Sequence, residues 1–137
     1  MKTLYSTKAK VTGGRMGTAT LSDSDLEITM APPGGNKKGN NPEQLLALGY
    51  GACFDSALSV VKKMESASFG STTETSVDLL QGDNHEYKLS VKIHVIADNT
   101  DLSADEIQKL VEKAHEVCPY SKATRGNIDV EVSSEVK

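Results

Sequence analysis

Residues 41 to 65 constrain this fold more than any other stretch of the chain. Asn41 reads as a helix N-cap, Pro42 takes the first helical position, and Glu43 falls in the first turn. The helix is expected to run to about Glu65. Its first two-thirds are apolar almost all round, through Leu45-Leu46-Ala47-Leu48-Gly49-Tyr50-Gly51-Ala52-Cys53-Phe54. A surface helix shows one apolar stripe, so this one reads as central and buried. Gly49, Gly51, Ala52 and Ala57 would let another helix or backbone come close. The 137 residues suit one domain, 1–137, with little material to cover such a helix on every side. A homodimer is therefore expected.

Around that helix the pattern predicts mostly strands. Leu4 to Thr12, Gly17 to Leu21 and Leu26 to Met30 read as three short ones. Gly13-Gly14 and Ser22-Asp23-Ser24-Asp25 supply the turns between them. A loop rich in Pro, Gly and Asn follows from Ala31 to Asn41, and loops of that length are often functional. After the helix come strands at about Ser71 to Gln81 and Glu86 to Ala97. In the second, Leu89, Val91, Ile93 and Val95 alternate with Ser90, Lys92 and His94, giving one buried face. Ser103 and Glu106 form a capping box that starts a second helix with an apolar stripe of Ile107, Leu110, Val111, Ala114 and Val117. Pro119 stops it. Ser121 to Arg125 reads as a loop or single turn, and Asn127 to Val132 as a last strand. The order βββ-α-ββ-α-β does not alternate strictly, which makes the class α+β.

Composition narrows the function by exclusion. A formal net charge of −4 argues against nucleic acid or an anionic membrane surface as partner. No apolar run approaches the roughly 20 residues of a membrane span. The N-terminus lacks the apolar core of a signal peptide, so the chain is expected in the cytoplasm. Thiols are kept reduced there, and a disulfide is usually transient and catalytic.

That makes the two cysteines the candidate chemistry. Cys53 lies inside the apolar helix, where burial would raise its pKa and blunt its nucleophilicity. To react near neutral pH it needs a cation beside it. Arg15, after two glycines and apart from other charges, is the best candidate at the start of a strand. Arg125 is the second, closer to Cys118 and better suited to shaping that hinge. Glu43 is a candidate partner for Arg15, although a first-turn acid also favours the helix dipole on its own. Along one straight helix Glu43 and Cys53 would lie about 15 Å apart. If they share a site, the helix breaks near Gly49 to Gly51 or Glu43 comes from a second subunit; the second option fits the expected dimer. Cys118, before Pro119, sits at a helix C-terminus, whose partial charge does not favour a thiolate. It suits a resolving partner better than a first nucleophile. The cysteine spacing is neither a zinc motif nor Cys-x-x-Cys, and His85, His94 and His115 are scattered.

Asn41-Pro42-Glu43-Gln44-Leu45 with Gly49-Tyr50-Gly51-Ala52-Cys53-Phe54 resembles the first cysteine motif of the organic hydroperoxide resistance (Ohr) proteins of the Ohr/OsmC superfamily. Val117-Cys118-Pro119-Tyr120-Ser121 with Ala123-Thr124-Arg125-Gly126-Asn127-Ile128 resembles their second, and Gly13-Gly14-Arg15 matches the family's arginine. The chain departs from the usual pattern at Met16 and Thr18, where Asp and a basic residue are common. The sister OsmC branch shares the cysteines and the arginine; the Val-Cys-Pro-Tyr-Ser motif and the short chain favour Ohr. The resemblance implies an OsmC-like fold in an intertwined homodimer with sites at its interface. It implies a peroxidase of organic hydroperoxides with Cys53 peroxidatic, Cys118 resolving, and Arg15 with Glu43 stabilising thiolate and peroxide. It implies no bound metal, haem or other cofactor, and an external dithiol of the dihydrolipoyl type, carried on a lipoylated protein or free as dihydrolipoamide. A non-enzymatic redox sensor using the same thiols is the alternative from another class.

Overall fold

A computed structural model describes residues 1–137. The chain falls into two compact units, Met1–Leu45 and Leu46–Lys137.

The first unit is built on one antiparallel sheet in the order β1 (Ala9–Thr12), β2 (Thr18–Leu21) and β3 (Glu27–Thr29). Val11 pairs with Ala19, and Ala19 with Ile28. A 3-10 turn, Gly14–Met16, joins β1 to β2. Glycine chemistry forces this turn. Gly13 has φ of 76°, in the left-handed region, and a Cβ on Gly17 would lie 1.7 Å from the Thr12 carbonyl oxygen. The strand expected from Leu4 is shorter at its front. Leu4 and Tyr5 are exposed and pair with no strand; Tyr5 and Thr7 instead donate side-chain hydrogen bonds to Asp23. The loop from Ala31 closes on itself, with Ala31 N–H donating to the Asn40 carbonyl and Asn40 N–H to that of Thr29.

The helix α1 (Pro42–Met64) starts as the sequence predicts. The Asn41 Oδ1 accepts from Gln44 N–H at 2.9 Å, and the Asn41 N–H donates to Gln44 Oε1 at 2.9 Å. This is a reciprocal capping box. The division between the units falls inside this helix. One of its faces, Tyr50, Phe54, Ala57, Leu58 and Val61, is buried in the core. Leu48, Val60 and Met64 stay exposed in the single chain. One sequence expectation is corrected here. With a mean hydropathy of 1.3, α1 is long and apolar enough to cross a membrane by length and composition. Only one face is buried in the core, so the all-round burial expected from the sequence is not reached within a single chain.

In the second unit β4 (Gly70–Gln81) and β5 (Tyr87–Asp98) form an antiparallel hairpin, and β6 (Asp129–Val136) adds to β5 in parallel. The predicted alternation holds: Val91, Ile93, Val95 and Ala97 are buried on one face of β5. A parallel pair needs a crossover. It is supplied by α2 (Ala104–Val117) and the short helix α3 (Pro119–Thr124). Their buried side, Ile107, Leu110, Val111, Ala114 and Cys118, joins α1 and β5 in one apolar core. The α2 capping box at Ser103 is present as expected.

The segment from Ser121, read from sequence as a loop or single turn, is part of α3. Pro119 stops α2 because it cannot donate a backbone bond, and at the first position of α3 that lack costs nothing. Cys118 therefore caps the end of α2 and the start of α3 at once. Its helix C-terminus is half of the local picture. Strand β6 also runs past Val132, because its parallel register with β5 continues to the pair Ala97 and Val136.

Candidate active site

The structure brings the expected site residues together as two pairs. The first is Arg15 with Glu43. The Arg15 Nη1 donates to Glu43 Oε2 at 2.8 Å, and Nη2 to Oε1 at 2.6 Å. This two-point fork is the geometry in which Arg–carboxylate pairs are strongest. The hydrogen bond from Arg15 holds the Glu43 carboxyl below its usual range, and Glu43 in turn raises Arg15. Arg15 sits on the glycine-defined turn, not at the start of a strand, and its side chain is 50% exposed. Glu43 is placed by the capped first turn of α1. An apolar hollow of about 320 Å³ lies beside Arg15, lined by Val11, Ala19, Met30, Pro42 and Leu45.

The second pair is Cys53 with Cys118. Both are free thiols, and their sulfurs are 3.6 Å apart. Cys118 is fully buried, whereas Cys53 is half-buried on α1. The asymmetry suits unequal roles. Burial pushes the Cys53 thiol above its ordinary range, and the adjacent Cys118 adds to that. The backbone N–H of Tyr120 pulls the other way. A disulfide needs sulfurs about 2.05 Å apart, so this pair has only about 1.5 Å to close.

Arg125 occupies the place expected of it. Its Nη2 donates to the His115 carbonyl at 2.7 Å, closing the end of α2 next to Cys118. Sequence reasoning missed several residues around the thiols. Tyr120 contributes its N–H, and its ring meets that of Tyr50 at 5.6 Å between centroids. A Cβ on Gly49 would lie 3.2 Å from the Tyr120 hydroxyl, so the glycine makes room for that ring. Ser121 is fully buried and bonds both Tyr50 and His115. His115, read from sequence only as one of three scattered histidines, is half-buried and bonded across the α2–α3 corner. The signal was present in the spacing, since Cys118, Ser121 and Thr124 share one face of any helix beginning at Pro119.

The sequence matches the OsmC-like protein family over residues 34–133, and the chain belongs to that family. The organic hydroperoxide resistance protein OhrA of Bacillus subtilis is 44% identical over 133 residues, covering 93% of each chain. A crystal structure of OhrB from the same organism superposes with a TM-score of 0.89 at 39% identity, covering 97% of this chain and all of the other. An organic hydroperoxide resistance protein from Legionella pneumophila superposes with a TM-score of 0.90 at 42% identity, covering 98% of this chain and 100% of that one. These relatives place the chain in the organic hydroperoxide resistance branch, as its cysteine motifs suggested.

Proposed function

We propose that this protein is a thiol-dependent peroxidase that reduces organic hydroperoxides, alkyl or fatty-acid, to alcohols and so protects a cell against oxidative stress. The observation that carries the reading is the pair of free thiols, one half-buried and one fully buried, with sulfurs 3.6 Å apart. The relatives' names point to the same substrate class.

The Cys53 thiolate attacks the distal peroxide oxygen. The O–O bond breaks, the other oxygen takes a proton and leaves as the alcohol, and Cys53 is oxidised to a sulfenic acid. The Cys118 sulfur then attacks that of Cys53. The hydroxyl leaves with the Cys118 proton as water, and a disulfide forms. An external dithiol, of the dihydrolipoyl type on a lipoylated protein or as dihydrolipoamide, exchanges with the disulfide and restores both thiols.

Cys53 needs a cation to offset its burial, and Arg15, held in a fixed orientation by its fork with Glu43, is the candidate for it. We assign these two residues to thiolate and peroxide stabilisation, with the apolar hollow beside Arg15 taking the alkyl chain. Helix α1 is unbroken through Gly49 and Gly51, which favours supply of the fork by a second subunit. The exposed Leu48, Val60 and Met64 of α1 give an intertwined homodimer an apolar face to cover. Cycling by dithiol exchange suits a reducing compartment such as the cytoplasm.

The direct test is a turnover assay comparing an organic hydroperoxide with hydrogen peroxide, and dihydrolipoamide with glutathione and thioredoxin. Repeated turnover, fastest with the organic hydroperoxide and dihydrolipoamide, is expected. One oxidation per molecule without cycling would make the protein a redox switch and refute the peroxidase reading. Replacing Arg15 by Ala is expected to raise the Cys53 pKa, read as thiolate absorbance against pH. An unchanged titration would remove Arg15 from this role.

A further inference from the structure

The corner that carries Cys118 is tied to the helix that carries Cys53 by a buried polar chain with no place in the steps above. Tyr50 lies one turn before Cys53 on α1, and Ser121 one turn after Cys118 on α3. Both are fully buried. Tyr50 Oη and Ser121 Oγ are 3.0 Å apart, and Ser121 Oγ lies 2.8 Å from His115 Nδ1 on α2. Tyr50 Oη also meets Thr124 Oγ1 at 3.1 Å. One chain of hydrogen bonds thus joins three helices around the two sulfurs.

The protons in this chain can all be placed. Burial, then the charge of Arg125, holds His115 below its ordinary range, so the imidazole is neutral. With the ring proton on Nδ1, His115 donates to Ser121 Oγ, Ser121 donates to Tyr50 Oη, and Tyr50 donates to Thr124 Oγ1. Thr124 donates to the Tyr120 or Ser121 carbonyl, each at 3.1 Å. Every hydroxyl in this chain of bonds is satisfied, which is the condition for a polar group inside an apolar core. Phe and Ala would fill the same space without that demand. The hydroxyls add direction, because each bond is met at only one arrangement of the α2–α3 corner.

We propose that Tyr50, Ser121 and His115 are positioning residues that hold the Cys118–Tyr120 corner against Cys53, and so set how quickly Cys118 captures a sulfenic acid on Cys53 before further oxidation. The proposal rests on the peroxidase reading. The corner presents two things to one sulfur: the Cys118 thiol at 3.6 Å and the Tyr120 N–H. A loosened corner lengthens the first approach, and the sulfenic acid then meets a second peroxide molecule and passes to sulfinic acid.

The experiment treats reduced protein with rising amounts of cumene hydroperoxide and measures by mass spectrometry the shares of disulfide and of Cys53 sulfinic acid. Tyr50→Phe removes only the hydroxyl and keeps the ring packing. His115→Leu removes the Nδ1 partner of Ser121, and His115→Asn returns a polar atom near its place. The sulfinic share is expected to rise about fivefold in Tyr50→Phe and His115→Leu, the scale of one lost hydrogen bond, and to fall back in His115→Asn. If folded Tyr50→Phe and His115→Leu partition as wild type does, the positioning role is overturned. It is equally overturned if His115→Asn behaves as His115→Leu, since the effect would then be general packing. Wild-type protein that turns over peroxide but forms no disulfide refutes the inference alone. Wild-type protein that does not reduce peroxide at all refutes the peroxidase reading beneath it.

Discussion

A Cys53→Ser protein is expected to lose peroxide turnover altogether, by about a thousandfold or more. A serine hydroxyl has no accessible anion near neutral pH and does not form a sulfenic acid, so both oxidation and disulfide formation disappear together. The fold is expected to survive. Cys53 is half-buried, and its neighbours include a backbone N–H that a hydroxyl can also accept from. Thermal unfolding should shift by about 1 kcal/mol or less. Steady peroxidase activity in this variant, measured as alcohol formed per protein with dithiol present, would end the reading.

The second large effect is at Cys118. Cys118→Ser is expected to release one equivalent of alcohol and then stop, with Cys53 passing to sulfinic acid as hydroperoxide rises. Wild-type protein under the same conditions should protect itself as a disulfide, because the second sulfur is already 3.6 Å away. Cys118 is fully buried among apolar side chains. A serine there leaves a hydroxyl short of partners, and a loss of about 1–3 kcal/mol in stability should accompany the change. Cys118→Ala avoids that cost and should show the same single turnover. Continued cycling without over-oxidation in either variant would show that resolution does not need Cys118. The two variants together separate the roles, since Cys53→Ser blocks the first step and Cys118→Ser only the second.

Much of the candidate site is legible in the sequence. The capping of α1 by Asn41 and the alternation in β5 follow from local chemistry that the chain carries on its face. So does the inequality of the cysteines, one in an apolar helix and one at a proline-marked helix end. The Ohr-type motifs pointed to the family that the relatives bear out. Other features needed long-range contacts. Helix α3 was hidden because Pro119 signals a stop and a start with the same residue. The partner of His115 was hidden because a helical pattern does not show that another helix turns back over it.

The sequence by itself determined the candidate residues: two thiols, one arginine after two glycines, and one first-turn carboxylate. Those follow from residue type and local spacing. Only the tertiary structure decided that the sulfurs lie 3.6 Å apart, that Arg15 grips Glu43 through both carboxylate oxygens, and that Ser121 is locked between Tyr50 and His115. The physical reason is that each of those contacts joins residues from separate elements. Their distance is set by how a helix packs on a sheet or how the chain turns back on itself, and no local pattern encodes that.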